Sequence, residues 1–124
     1  MSAPGPACPT QAYIDGHWCD AADERRFDVT NPASGAVIAS VADCGVTETR
    51  AAIAAAKAAQ PGWAALPAGQ RGAILRRWRD LMVERADELA LILTRENGKP
   101  LTEARGEILY GASYLEWFAE ETKR

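Results

Sequence analysis

Residues 37–59, VIASVADCGVTETRAAIAAAKAA, contain the change of pattern that decides the fold. Over residues 37–41 apolar side chains alternate, with Val37, Ala39 and Val41 on one side and Ile38 and Ser40 on the other, the period-two signature of a strand. The alternation stops at Gly45. Thr47 is then the expected N-cap, and Glu48 lies in the first turn, where the helix dipole favours an acid. Residues 51–59 are nearly all alanine, the strongest helix former, interrupted by Ile53 and Lys57.

Upstream of this junction the chain reads as strands and turns. Asp15-Gly16 is a two-residue turn signal between Tyr13-Ile14 and His17-Trp18, which predicts a tight hairpin. Residues 20–26 are polar and predict a loop. Residues 26–30 alternate again, with Phe27 and Val29 on one face. Asn31-Pro32 breaks that strand and Ser34-Gly35 supplies the turn. The first third is thus expected to be a small β-meander or a set of hairpins. Residues 1–10, with Pro4, Gly5, Pro6 and Pro9, are expected to be a disordered tail, leaving residues 11–124 as the folded part.

Downstream the period is helical. Pro61-Gly62 is expected to end the alanine-rich helix, and Pro67 to open the next, since proline suits a first turn. Ile74, Leu75, Trp78, Leu81 and Met82 recur at three- and four-residue spacing and predict one inward stripe, with Arg76, Arg77 and Arg79 off it. A third helix is expected over residues 86–96, with Leu89, Ile92 and Leu93 inward, stopped by Asn97-Gly98 and Pro100. A fourth starts near Thr102 and carries Ile108, Ala112, Leu115 and Ala119 on one face. Apolar stripes on several such helices need a sheet or further helices to cover them.

Composition narrows the function. The chain has 124 residues, 48% hydrophobic and 25% charged, as in ordinary globular proteins. Its formal net charge of −3 lacks the basic footprint that nucleic acid or an anionic membrane surface would require. No apolar run approaches the roughly 18 residues of a membrane span, and the N-terminus has neither the basic start nor the apolar core of a secretory leader. Cys8, Cys19 and Cys44 are odd in number and lack CxxC spacing, which argues against a disulfide framework or a zinc site. A cytoplasmic protein is expected.

Common catalytic arrangements are missing. There is no GxGxxG fingerprint. A phosphate loop ending at Gly98-Lys99 would need glycine where Leu93 stands and Ser or Thr where Pro100 stands. His17 is the sole histidine, lies beside a turn, and supports no triad or paired-histidine metal site. Cys19 and Cys44 have no basic motif to make thiolates and read as small buried hydrophobes. Glu103/Glu107 and Glu116/Glu120 have helical i,i+4 spacing and read as solvated faces; Arg76, Arg77 and Arg79 are expected to pair with Asp80 and Glu84. Trp78 is expected in the core and Trp63 between helices, while Trp117 lies beside its inward stripe.

The order of motifs nevertheless carries a resemblance. Tyr13-Ile14-Asp15-Gly16 is followed by Val29-Thr30-Asn31-Pro32-Ala33-Ser34-Gly35, then by the alanine-rich helix ending in Pro61-Gly62-Trp63. RGAILRRWRDLMVERAD over residues 71–87 continues into Thr94-Arg95-Glu96-Asn97-Gly98-Lys99-Pro100-Leu101 and Glu103-Ala104-Arg105-Gly106-Glu107. This series resembles the N-terminal part of the NAD(P)-dependent aldehyde dehydrogenases. The closing YLEWFAEE over residues 114–121 is most similar to the succinate-semialdehyde branch.

The resemblance implies an α/β fold in which this chain supplies an N-terminal hairpin or meander and about four helices of an incomplete coenzyme-binding domain. It implies oxidation of a small aldehyde, succinate semialdehyde first, by a subunit of a homo-oligomer. In the whole enzyme a cysteine thiolate attacks the aldehyde, amide donors hold the oxyanion, NAD or NADP accepts hydride, and a glutamate activates water to hydrolyse the thioester. The family's cysteine, glutamate, asparagine and coenzyme motifs match no position here. No catalytic or coenzyme-binding residue is therefore assigned, and the chain alone is expected to bind no coenzyme and to be inactive.

One carry-over remains. Some members bind a monovalent cation through a main-chain carbonyl just before the Asn-Pro pair and an acid two residues before the Gly-Lys pair, here Thr30 and Glu96. Glu96 also reads simply as a polar residue in a last helical turn, though an acid there opposes the helix dipole. The alternative to an enzyme fragment is a stand-alone helical module that docks on a full-length dehydrogenase subunit, suggested by the apolar stripe around Leu115 and Phe118.

Overall fold

The computed structural model describes residues 8–124. Residues 1–7 of the expected tail lie outside the described residues. The chain forms two compact units, with described residues 8–64 in one and 65–124 in the other.

The first unit begins with β1 (Ala12–Ile14) and β2 (His17–Cys19), an antiparallel hairpin with Ile14 opposite His17. Asp15 and Gly16 both have positive φ, 51° and 80°, as a type I′ turn demands. Tyr13 and Trp18 face each other across the strands with ring centroids 4.9 Å apart. β3 (Arg26–Thr30) and β4 (Val37–Ala42) form a second antiparallel hairpin. Val29 pairs with Ala39 and Thr30 with Val37, so Ile38 is bulged out of register. Asn31 organises the connection: its Oδ1 accepts the Ala33 N–H at 2.9 Å, its carbonyl accepts the Gly35 N–H at 2.7 Å, and its own N–H donates to Ala36 O at 2.8 Å.

The two hairpins are separate sheets, so of the two expectations the set of hairpins holds and the meander does not. Residues 20–25 form no strand ladder with either hairpin; Arg26 does the joining. Its guanidinium donates to Asp20 Oδ1 at 2.7 Å, Thr10 Oγ1 at 2.9 Å and Ser40 O at 2.6 Å. Ala42 N–H also donates to Thr10 O at 2.9 Å, which fixes the chain at Thr10, a residue expected to lie in the tail.

α1 (Val46–Ala65) starts one residue before the expected N-cap. Thr47 is inside the helix, and Gly45 is the capping position. Glu48 turns back so that Oε2 accepts the Gly45 N–H at 2.7 Å, while Oε1 accepts the Ala22 N–H from the preceding loop at 3.0 Å. The glutamate reaches groups that a threonine at position 47 cannot. At the other end, α1 passes through Pro61 instead of stopping there. Proline removes one helical hydrogen bond, to the carbonyl of Lys57, and both residues are exposed, where water can serve that carbonyl. The stop comes at Leu66, which Pro67 biases away from helical dihedrals.

The second unit holds α2 (Ala68–Glu84), α3 (Ala86–Asn97) and α4 (Leu101–Glu121). Gly98, at φ 82°, caps α3 and donates its N–H to Thr94 O at 2.9 Å, as the Asn-Gly stop predicts. α4 is the shared element: α2 and α3 pack mainly on it rather than on each other. The buried side chains are alanines, Ala86 and Ala90 on α3 and Ala104, Ala112 and Ala119 on α4. A β-carbon on Gly72 of α2 would lie 3.0 Å from the Ala119 carbonyl oxygen and from Thr122 Oγ1.

The α2 stripe splits. Leu75 and Met82 are half-buried, but Ile74, Trp78 and Leu81 are exposed, Trp78 at 57%. The row turned towards α4 is Gly72, Leu75, Arg76, Arg79 and Met82. Close approach at Gly72 and ion pairs from the arginines select that row over the adjacent, bulkier one. Trp78 is thus not a core residue. Trp63, on α1, is half-buried, and Leu89, Ile92 and Leu93 on α3 are likewise half-buried.

Two measurements check this account. Hydrogen bonds from Gly45 first and Ala22 second hold the Glu48 carboxyl below the ordinary glutamate range. A carboxyl depressed by folding adds stability above its unfolded value and loses that contribution as pH falls through its folded value. Stability should therefore fall on acidification below about pH 4.5, and Glu48→Gln should flatten that fall in thermal melts; an unchanged pH profile counts against the clasp. Glycine-to-alanine exchange should change sign with position. Gly106 has nothing within 4 Å of an added β-carbon, so Gly106→Ala should raise the unfolding free energy by about 1 kcal/mol of helix propensity, seen as a higher denaturant midpoint. Gly72→Ala should lower stability, because overpacking of about 1–3 kcal/mol outweighs that gain; equal effects at both sites would refute the close contact.

Candidate functional site

The residues with possible chemistry belong to both units. Thr30 ends β3 in the first unit, next to the Asn31 turn, and its side chain is exposed. Glu96 lies in the last turn of α3 in the second unit and is exposed. Among the described residues, no group of three or more His, Cys, Asp or Glu side chains converges to hold a metal ion.

The cysteines do not form a nucleophilic centre. All three are free thiols. Cys19 Sγ lies 3.6 Å from Ala12 O inside the first hairpin. Burial, followed by the negative charge of Glu48, pushes the Cys44 thiol above the usual range, the reverse of what a nucleophile needs. His17 is exposed on β2. At neutral pH, a thiol-alkylating reagent should therefore modify exposed Cys8 well before half-buried Cys44, as peptide mass spectrometry would show. Preferential labelling of Cys44 would overturn this assignment.

The charged residues serve helix pairing. Arg76 on α2 pairs with Glu120 on α4. Arg79 reaches both Asp80 at 3.0 Å and Glu116 at 2.6 Å. The hydrogen bond from Arg76, then that from Lys123, keeps the Glu120 carboxyl below its ordinary range. Glu116 and Glu120 are thus not merely solvated, and the arginines' partners come mostly from α4 instead of the expected Glu84. Lys99 pairs with Glu107, and Arg105 with Asp87 at 2.7 Å, at the α3–α4 corner.

The exposed apolar stripe expected around Phe118 extends into an aromatic face on α4, of which the sequence reading missed the two tyrosines. Tyr110, Ser113, Tyr114, Trp117 and Phe118 line an open groove of about 400 Å³. The two phenolic oxygens are 2.5 Å apart, the rings meet edge to face, and the Tyr110 hydrogen bond raises the Tyr114 phenol above its ordinary range. The 110, 114, 117, 118 spacing could have revealed this face, but it runs beside the alanine stripe that packs inward.

The class of the protein is settled by likeness to known proteins. Residues 18–124 match the aldehyde dehydrogenase family. The chain belongs to the aldehyde dehydrogenase family. It is 57% identical over 114 residues to a glutarate-semialdehyde dehydrogenase of Pseudomonas putida, which covers 92% of this chain and 24% of that protein. It is 56% identical to the NADP(+) succinate-semialdehyde dehydrogenase of Escherichia coli, with the same coverage. A solved succinate-semialdehyde dehydrogenase from Burkholderia pseudomallei superposes with a TM-score of 0.87 at 54% identity, covering 90% of this chain and 23% of the other. The chain therefore spans about a quarter of the length of the curated relatives it matches. Two small hairpins followed by four helices are the expected arrangement for this part of that α/β fold.

Proposed function

We propose that this chain is the N-terminal portion of the coenzyme-binding domain of an NAD(P)-dependent aldehyde dehydrogenase, oxidising a dicarboxylic semialdehyde, succinate semialdehyde first, to the dicarboxylate. The observation that carries the reading is identity of 56–57% over 92% of the chain to two semialdehyde dehydrogenases. The substrates in those two names differ by one methylene, a difference worth only about 1–3 kcal/mol in a pocket. NAD(P) supplies the hydride acceptor in such an enzyme. This segment's part is structural: its hairpins and helices flank the sheet that holds the coenzyme, and the rest of the subunit covers the exposed apolar faces. The free thiols suit a cytoplasmic, reducing compartment, and the assembled subunit is proposed to work as a homo-oligomer.

The Thr30 carbonyl and the Glu96 carboxylate are proposed as two oxygen ligands of a monovalent cation in the assembled subunit, consistent with the preference of hard cations for oxygen. Among the described residues no helix is long and apolar enough to cross a membrane.

A chimera tests the reading. Residues 11–124 would replace the corresponding part of the E. coli NADP(+) succinate-semialdehyde dehydrogenase. The chimera should reduce NADP(+) with succinate semialdehyde at a kcat within about tenfold of the parent, equivalent to about 1.4 kcal/mol. A soluble, folded chimera without activity would sink the assignment. In it, Glu96→Gln should weaken stimulation by potassium or sodium ions; an unchanged salt response removes the cation proposal alone. The 124-residue chain by itself should give no aldehyde-dependent reduction of NAD(P). A specific complex between the chain and an intact parent subunit would favour the docking-module reading instead.

A further inference from the structure

We draw no further inference here: the strongest candidate, the exposed aromatic face of α4 around Tyr110, Tyr114, Trp117 and Phe118, is an unpartnered surface whose covering by the rest of a dehydrogenase subunit is already part of the reading above, and nothing in the structure points to another occupant.

Discussion

The helical unit depends on how closely α2 approaches α4. At Gly72 a main-chain carbonyl occupies the space beside the missing β-carbon, and the facing residue is Ala119. Backbones this close leave room for little except small side chains, as at the fully buried Ala119 of α4. Alanine contributes little apolar area to a core. Many larger apolar groups, among them Ile74, Trp78, Trp117 and Phe118, lie on outer faces, and Arg76–Glu120 and Arg79–Glu116 join α2 to α4. This arrangement suits a layer inside a larger fold, where the outward faces become interior when the neighbouring layer is present.

The features most legible in the sequence were those set by local backbone chemistry. Asp15-Gly16, the Asn31 loop and the Gly98 stop each need particular residues for conformations that few others adopt, so sequence and structure agree there. The discrepancies arise where distant groups decide. Thr47 looked like the cap because serine and threonine commonly cap helices, yet a glutamate three residues past Gly45 can serve two N–H groups, one of them on a loop far back in sequence. Pro61 looked like a terminator, but an exposed helix tolerates one missing bond. The α2 stripe was legible in part: Leu75 and Met82 are half-buried, whereas Ile74, Trp78 and Leu81 are exposed because the close approach and ion pairs to α4 favour the adjacent row.

For the site, the family was legible because several modest motifs occur in the right order, from Tyr13-Ile14-Asp15-Gly16 through Asn97-Gly98-Lys99-Pro100. No single physical pattern would have sufficed. Thr30 and Glu96 were named by resemblance, the one physical hint being that the Glu96 acid opposes the dipole at the end of α3; both residues are exposed. The paired phenols of α4 were not legible because Tyr110 and Tyr114 lie beside the stripe of Ile108, Ala112, Leu115 and Ala119, whose spacing carries the stronger signal.

The distribution of large side chains also gives the chain an optical property. Three of its four tryptophans, Trp18, Trp78 and Trp117, are more than half exposed, and they sit on three different elements. Indole emission depends on contact with water, so these three rings emit as water-exposed indoles. Covering any one of these faces would dry its ring and shift the emission towards the blue, with no added label. The fluorescence would thus distinguish the bare layer from the assembled one.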